Sequence, residues 1–208
     1  MRTSVLIAAF HAGPFIATAL ESVRAQTHSD WEIIVVEDGS HDATRDIVAR
    51  FAASCPQRVV YENLGENRGV AAARNRLLEL ARGATLAFLD ADDTWECGHL
   101  AAALARIAAG ADLVVSGVRT FDLVHQHRLE DVAAPPALVR DPVLTLFQRS
   151  AIITSSAVVF RSELAHRAGR FDPTLRIGED RDYWLRCALA LGRFQTTPWF
   201  TCNYAKHL

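Results

Sequence analysis

The chain has 208 residues, a formal net charge of −2, and a composition that is half hydrophobic and 22% charged. This length and composition suit a single domain with a full core, and the near-neutral charge argues against a nucleic-acid partner. The longest apolar runs are about seven residues, far short of the roughly 20 that span a bilayer. The four cysteines are scattered without a C-x-x-C pair, which argues against a zinc site or a disulfide framework. With no signal-peptide pattern at the N-terminus, a reduced, cytoplasmic protein is expected.

Strand and helix patterns alternate through the first half of the chain. The pattern predicts a strand at Ser4–Phe10, a helix carrying Ile16, Leu20 and Val23, a strand at Trp31–Val36, and a helix carrying Ile47, Val48 and Phe51. It then predicts a strand at Arg58–Tyr61, a helix at Val70–Arg82, a strand at Thr85–Leu89, a helix at His99–Ala109 and a strand at Leu113–Ser116. Continuous apolar strands that alternate with helices indicate an α/β fold, with a mostly parallel sheet covered by helices.

The second half is less regular. Three prolines within residues 126–142 predict a loop, followed by a short helix at Val143–Gln148 and a weakly alternating stretch at Ile152–Phe160. A helix from Glu179 to about residue 191 and a last strand at Phe194–Phe200 complete the prediction. The change in regularity places a soft boundary near residue 115, between residues 1–115 and 116–208 of one domain.

Carboxylates directly follow two of the predicted strands. Glu37 and Asp38 follow the second strand, and Asp90, Asp92 and Asp93 follow the fourth. In open α/β sheets, ligands bind in the crevice beyond the carboxyl ends of the strands. Clustered anions repel unless a cation lies among them, and Mg²⁺ or Mn²⁺ bound through one or two carboxylates plus a substrate phosphate would suit this edge. The alternative is that the acids lie in solvated turns and cap the following helices. For Asp93 a helix cap is the expected role.

Six segments share their order and spacing with one enzyme family. They are Ser4–Phe10, Leu20–Thr27, Trp31–Thr44, Asn67–Asn75, Ala87–Trp95 and Gly178–Arg186. In these segments the chain resembles the family 2 glycosyltransferases over nearly its whole length. The resemblance implies a single GT-A domain with a Rossmann-like sheet. It also implies inverting transfer of a sugar from a nucleotide-diphosphate sugar to an acceptor hydroxyl. Residues 1–115 would then bind the nucleotide sugar, and residues 116–208 the acceptor.

The resemblance also assigns the nucleotide-binding residues. Asp38 would accept a hydrogen bond from the base, typically uracil N3–H, with Glu37 in support. Arg74 would contact the base or the phosphates, a task that suits its fixed charge and fork of donors. Ala8 and Phe10 stand where the family usually has Thr and Tyr. The hydroxyl contacts that Thr and Tyr make to the base would be lost here, which weakens the prediction of UDP over other nucleotides.

A divalent metal, Mn²⁺ or Mg²⁺, is the implied cofactor. The resemblance assigns Asp92 to the metal and Asp90 to the ribose or a bridging water. Many relatives carry a histidine shortly after a final strand, which makes His207 a candidate metal ligand. A terminal histidine that binds nothing remains the alternative for His207.

The last matching segment supplies the candidate general base. Asp180 would take the proton of the acceptor hydroxyl as it attacks C1 of the sugar. Glu179 and Trp184, with Ser155 of the Thr154–Ser156 stretch, are expected on the acceptor side. The alternative for Glu179 and Asp180 is that they only complement the positive end of their helix.

Two other classes of function stay open. A nucleotidyltransferase would use similar carboxylates, but it would want a glycine-rich basic loop where this chain has Ala8–Gly13. A non-catalytic sugar-nucleotide-binding protein is the other. The expected setting is bacterial polysaccharide or glycan biosynthesis, with a glycan, lipid-linked or small-molecule acceptor. The sequence leaves the sugar, the acceptor, a peripheral membrane contact and the oligomeric state undetermined.

Overall fold

A computed structural model describes residues 1–122, 127–148, 151–152 and 154–206. The strands are β1 Thr3–Ala9, β2 Trp31–Glu37, β3 Val59–Asn63, β4 Thr85–Phe88, β5 Thr94–Trp95, β6 Leu113–Asp122, β7 His127–Val132, β8 Val158–Arg161 and β9 Phe194–Lys206. The helices are α1 Ile16–Arg24, α2 Thr44–Ala53, α3 Val70–Leu80, α4 His99–Ala108, α5 Ala137–Arg140, α6 Pro142–Gln148, α7 Ser162–Ala168 and α8 Glu179–Leu189. A short 3₁₀ turn, Ser155–Ala157, precedes β8.

The described strands form one sheet in the order β3-β2-β1-β4-β8-β6-β9-β5, with β7 paired to β6. Strands β3, β2, β1 and β4 are parallel, whereas β8 runs antiparallel to both β4 and β6. From β1 the chain adds β2 and β3 on one side and then returns to add β4 on the other. Right-handed crossovers therefore put α1 and α2 on one face and α3 on the opposite face. The gap between β1 and β4 is a topological switch point, where α/β sheets bind ligands.

Two groups of apolar side chains hold the sheet to its helices. Strand β2 is fully buried and β1 is buried except at Ala8, because helices cover both faces of the central strands. A second group of aromatic rings joins β4 and β8 to α8 and consists of Phe88, Phe160, Phe171, Tyr183 and Trp184. The Phe171 and Tyr183 rings stack with their centroids 3.9 Å apart. This aromatic cluster fixes the start of α8 relative to the end of β4.

The predicted α/β fold, with its parallel sheet and flanking helices, is confirmed, and the differences fall mainly in the second half. The predicted loop contains strand β7, an exposed and mostly polar segment whose pattern carries no apolar alternation. It is a strand because it pairs with β6. Helix α7 and the extension of β9 from Phe200 to Lys206 were not predicted. Within the described ranges, no helix is long and apolar enough to cross a bilayer.

Candidate active site

Asp38 lies at the carboxyl end of β2 and binds the segment that leads into α3. Its two carboxylate oxygens accept hydrogen bonds from the backbone N–H groups of Arg68 and Gly69, each at 2.8 Å. The side chain is buried. Asp38 therefore anchors the start of α3 beside the ends of β1 and β2, at the edge where a nucleotide is expected.

Glu37 is directed into the fold beneath the same turn. The hydroxyls of Ser40 and Tyr61 donate hydrogen bonds to its two oxygens. Burial and the contact with Glu37 raise the pKa of Tyr61 to about 12. Gly39 has a φ of +77°, and a Cβ there would lie 2.2 Å from the backbone carbon of Glu66. Glu37 and Gly39 thus shape the turn that presents Asp38.

The residues after β1 give this edge an aromatic surface. Ala8 is half-buried within β1 and lies beside Val36 of β2. Phe10 is 49% exposed, and its ring meets the ring of His11 edge-on, with centroids 4.3 Å apart. Both Ala8 and Phe10 therefore lie near the nucleotide edge predicted for them, without hydroxyl groups to offer.

Arg74 links the two ends of the site. It is only 5% exposed, and it donates from Nη1 to Glu179 Oε1 at 2.7 Å and from Nη2 to Asp90 Oδ1 at 3.2 Å. A buried guanidinium is tolerable when carboxylates neutralise it in this way. Arg74 lies about one turn into α3, five residues after the capping residue Gly69, so the Asp38 contact is about 7.5 Å away along the helix axis. Helix α3 thus connects Asp38, Asp90 and the start of α8.

The acids after β4 are held by groups from the second half of the chain. The hydroxyl of Thr154 lies 3.2 Å from Oδ2 of both Asp90 and Asp93. Asp93 is fully buried and accepts a hydrogen bond from the backbone N–H of Ala205 at 2.9 Å. Burial and the negative charge of Asp90 raise the pKa of Asp93 well above its usual value. The prediction that Asp93 caps a helix is wrong, because α4 begins only at His99.

Acids from both halves of the chain influence the pKa of the Tyr204 phenol in β9. Burial raises its pKa, and so do the negative charges of Asp93, Asp90, Asp92 and Asp180, in that order of size. Coulombic effects of this kind weaken with distance. The ion pairs of Arg74 with Asp90 and with Glu179 independently bring the residues after β4 close to the start of α8.

Asp92 and Tyr204 also line a cleft of about 380 Å³. Side chains from the start of α1 and the end of β6 complete the lining, including Phe15, Thr18 and Phe121. Asp92 is half-buried at this cleft. The candidate metal ligand is thus accessible from a space large enough for part of a substrate.

The residues predicted on the acceptor side divide into two groups. Asp180 is half-buried at the start of α8, and its Oδ1 accepts a hydrogen bond from the backbone N–H of Arg181 at 2.7 Å. Glu179 is instead buried against Arg74. Trp184 is 1% exposed within the aromatic cluster, and Ser155 is equally buried. Of these four residues Asp180 alone is half-buried; Glu179, Trp184 and Ser155 lie in an ion pair or in internal packing and not on the accessible acceptor surface predicted for them.

The donor set fits a divalent metal held jointly with substrate phosphates. Among the described residues, no three Asp, Glu, His or Cys side chains form a ready-made ligand set. Mg²⁺ and Mn²⁺ often use only one or two carboxylates and complete their shell with phosphate and water. Asp92, with Asp90 beside it, supplies that number of carboxylates in a strongly anionic setting. His207, the third candidate, lies outside the described residues.

Two contributors to the site, Thr154 and Tyr204, were not predicted in their roles. Both come from irregular stretches of sequence. A threonine or a tyrosine in such a stretch does not by itself indicate a functional role. A hydroxyl that bridges two acids is visible only once the chain has brought residues more than 60 positions apart together. The Glu179–Arg74 ion pair has the same origin, since its partners are 105 positions apart.

Comparison with known proteins identifies the family. The model described as "Glycosyl transferase family 2" matches residues 4–163, so this chain belongs to glycosyl transferase family 2. An uncharacterised glycosyltransferase of Nostoc sp. is 29% identical over 219 residues, covering 100% of this chain and 65% of the relative. The succinoglycan biosynthesis protein ExoO of Rhizobium meliloti is 37% identical over 202 residues, covering 90% of this chain and 55% of ExoO. The chain thus spans somewhat more than half of each relative.

Solved structures agree with the fold. Staphylococcus aureus TarS in complex with UDP-GlcNAc superposes with a TM-score of 0.81 at 22% identity, covering 100% of this chain and 59% of TarS. A mannosyltransferase from Pyrobaculum calidifontis, in complex with GDP-Man and Mn²⁺, superposes with a TM-score of 0.75 at 24% identity. It covers 97% of this chain and 56% of the mannosyltransferase. At these identities the likeness concerns the fold alone, and it confirms the predicted GT-A architecture.

Proposed function

We propose that this chain is the catalytic domain of a metal-dependent, inverting glycosyltransferase that uses a UDP-sugar. The observation that carries the proposal is that buried Arg74 pairs both with Asp90, just after β4, and with Glu179, the residue before Asp180 at the start of α8. The negative charges of Asp90, Asp92, Asp93 and Asp180, which all raise the pKa of Tyr204, agree with this arrangement. These contacts join the expected diphosphate side and the expected acceptor side into one site.

The donor would lie across the switch point between β1 and β4. Asp38 would receive the base, with the aromatic surface of Phe10 beside it, while Arg74 and Asp90 would contact the phosphates and the ribose. The UDP-GlcNAc complex of TarS supports UDP as the first nucleotide to test. The GDP-Man complex of the Pyrobaculum enzyme makes GDP the natural competitor, since Ala8 and Phe10 offer no hydroxyl to distinguish the bases.

Asp92, assisted by Asp90, would hold Mn²⁺ or Mg²⁺ against the donor diphosphate. When bound, such an ion supplies Lewis-acid stabilisation of the departing diphosphate. Arg74 lies within hydrogen-bonding distance of Asp90 and fixes its orientation. The protein's own part is thus to hold these carboxylates aligned at the cleft.

Asp180 would act as the general base. It takes the proton from the acceptor hydroxyl while that oxygen forms a bond to C1 of the sugar. The bond from C1 to the diphosphate oxygen breaks on the opposite face, and the diphosphate leaves with the electron pair, so C1 is inverted. The backbone N–H of Arg181 orients the carboxylate by binding one of its oxygens.

The biological setting is proposed on the same basis. ExoO is named for succinoglycan biosynthesis, which supports a role in assembling a bacterial polysaccharide or related glycan. The acceptor would be a glycan, a lipid-linked saccharide or a small molecule, and the reaction would take place in the cytoplasm where nucleotide sugars are made.

A donor screen tests the binding half of this proposal. We expect UDP-sugars with Mn²⁺ to raise the melting temperature. A donor present at 100 times its Kd adds about 2.7 kcal/mol to the free energy of unfolding. EDTA should remove most of the shift. If neither UDP nor GDP nor dTDP sugars shift the melting temperature with metal present, the donor assignment is wrong.

A base variant tests the catalytic half. Asp180→Asn should lower turnover about 10²–10⁴-fold while donor binding persists. Asp182→Asn is the matched control, because Asp182 lies in the same helical turn but pairs with Arg186 at 2.7 Å. Equal loss in both variants, or no loss in Asp180→Asn, would show that Asp180 is not the base, whereas donor binding without any turnover in the parent would point to a non-catalytic binding protein.

A further inference from the structure

The residues Thr154–Ser156, which lead into β8, pack against the segment that carries the candidate metal ligands. The hydroxyl of Ser156 accepts a hydrogen bond from the backbone N–H of Asp90 at 2.9 Å, and its carbonyl accepts one from the indole N–H of Trp95 at 2.7 Å. All three residues of this turn are buried. The turn is therefore fixed relative to the acids after β4, although more than 60 positions separate the two segments.

The hydroxyl of Thr154 lies between two of these acids. It accepts a hydrogen bond from the backbone N–H of Ser156 at 3.1 Å, and it lies 3.2 Å from Oδ2 of both Asp90 and Asp93. A hydroxyl has a single proton to donate, so it serves one carboxylate at a time. Oδ1 of Asp93 is already held by the backbone N–H of Ala205 at 2.9 Å. Asp93 therefore has a backbone anchor of its own, and Asp90 is the acid whose orientation depends on Thr154.

The carboxylate of Asp90 is held between side chains from different parts of the chain. Nη2 of Arg74 donates to its Oδ1 at 3.2 Å, while Thr154 faces its Oδ2. Arg74 also pairs with Glu179 of α8 at 2.7 Å. Without the hydroxyl of Thr154, the carboxylate of Asp90 would be left to Arg74 and could rotate toward α8. Thr154 is only 4% exposed, so bulk water does not compete for the contact.

We propose that Thr154 is a positioning residue for the metal site, which orients the carboxylate of Asp90 without touching the metal or the donor. The inference rests on the proposed function, because it assumes that Asp90 assists Asp92 at a divalent ion. An ion such as Mn²⁺ takes only one or two carboxylates from the protein, so a misdirected Asp90 removes much of the protein's contribution. Removing a group that orients such a carboxylate typically weakens metal binding about 10–100-fold.

The alternative is a purely structural role, since a buried hydroxyl that bonds to its own turn also stabilises the fold. Thr154→Val removes the hydroxyl and keeps the size of the side chain, whereas Thr154→Ser keeps the hydroxyl. Thr85→Val is the matched control. Thr85 is buried at the opposite end of β4 from the acids, and its hydroxyl contacts the hydroxyl of Thr3 at 2.8 Å. Both Val variants should therefore lose stability, and only one should lose metal-dependent binding.

Calorimetric titration of UDP into the 208-residue chain with Mn²⁺ in excess measures the affinity, and urea denaturation of the metal-free chain measures the stability. We expect Thr154→Val to weaken UDP binding in Mn²⁺ about 10–100-fold. Thr154→Ser should restore most of the affinity, and Thr85→Val should bind as the parent does. Thr154→Ala carries the same expectation as Thr154→Val and replaces it if a methyl group facing two acids prevents folding.

Three results would overturn the proposal. Unchanged affinity in Thr154→Val or Thr154→Ala, with a lower urea midpoint, would show a structural role only. An equal loss of affinity in Thr154→Ser would show that the hydroxyl is not the group that acts. An equal loss in Thr85→Val would show a general effect of destabilisation. In each case a parent that binds UDP with Mn²⁺ leaves the proposed function standing, whereas a parent that binds no UDP with Mn²⁺ contradicts both.

Discussion

The two parts of the sheet hold their functional acids in different ways. In the parallel part, formed by β3, β2, β1 and β4, Asp38 is held by backbone N–H groups from the segment that follows β3. In the mixed part, formed by β8, β6, β9, β5 and β7, side chains and strand ends reach back to the acids after β4. Thr154 contacts Asp90 and Asp93, and the backbone of Ala205 contacts Asp93.

This difference shows which substitutions the site tolerates. An acid held by backbone groups keeps its place when neighbouring side chains change. An acid held by one distant side chain loses its position when that side chain is replaced. We therefore expect the largest effects where the two parts meet through single side chains, and smaller effects within the parallel part.

The largest effect is expected at Arg74, where the two parts meet. Arg74→Met leaves the buried carboxylate of Glu179, and Asp90 beside it, without their cation. Breaking a buried ion pair by removing one partner costs about 3–5 kcal/mol. Urea unfolding should show this loss in the free energy of unfolding, and donor binding should weaken as Asp90 loses its orientation.

Arg76→Met provides the comparison, since Arg76 lies on the same helix but its ion pairs with Glu62 and Glu79 are at the surface. Exposed pairs of this kind contribute about 0–1 kcal/mol. Similar losses in the two variants would mean that Arg74 does not join the parts of the sheet.

The next effect concerns pH and lies in the mixed part. Burial lowers the pKa of His99 to about 3, while its Nδ1 lies 2.9 Å from the hydroxyl of Thr201 in β9. Between about pH 6.5 and pH 3 the unfolded chain binds a proton that the folded chain does not. Stability should therefore fall with falling pH, by about 1.4 kcal/mol per pH unit from this residue.

Unfolding in urea at pH 6.5, 5.5 and 4.5 measures this slope. His99→Gln should remove about 2 kcal/mol of the difference in the free energy of unfolding between pH 6.5 and pH 4.5. An unchanged slope would show that His99 is protonated in the folded state.

A smaller effect is expected at Asp38, within the parallel part. Asp38→Asn keeps one acceptor oxygen, so the N–H of Arg68 or Gly69 loses its bond to an ionised carboxylate, although the Gly69 N–H also donates to Asn67 Oδ1 at 3.2 Å. A hydrogen bond to a charged group contributes about 1.5–3 kcal/mol. Urea unfolding should show that loss, while Asp46→Asn on exposed α2 should cost almost nothing. Equal stability of Asp38→Asn and the parent would mean that the backbone contacts are not needed.

The smallest effect is expected at Tyr61. Tyr61→Phe removes one donor from Glu37 but leaves the hydroxyl of Ser40 on its other oxygen, at a cost of about 0.5–1.5 kcal/mol. The pKa of Tyr61 is raised to about 12 in the folded protein. The parent should therefore lose its extra stability over Tyr61→Phe as the pH rises from about 10 toward 12. Denaturation at pH 8 and pH 11 measures the difference, and an advantage that grew with pH would contradict the assignment.

Much of the first half could be predicted because its signals are local. Each buried strand is a continuous apolar run, and acids mark the ends of β2 and β4, so Asp38 and Asp90 could be placed at one edge. The site's remaining contacts depend on distant packing. Trp184 looked available beside Asp180, but the aromatic cluster of β4 and β8 buries it completely. Strand β7 is polar and depends on its pairing with β6.

In the proposed site, acids from both halves of the chain share one metal position near Tyr204. Fluorine NMR of the chain labelled with 3-fluorotyrosine tests it, because the chain has three tyrosines, at positions 61, 183 and 204. Tyr61 lies on β3, three strands from β4, or about 14 Å away. Titration of Mn²⁺ in the presence of UDP should broaden the Tyr204 signal before that of Tyr61, and Asp92→Asn should abolish the effect. Broadening of Tyr61 before Tyr204 would contradict the account.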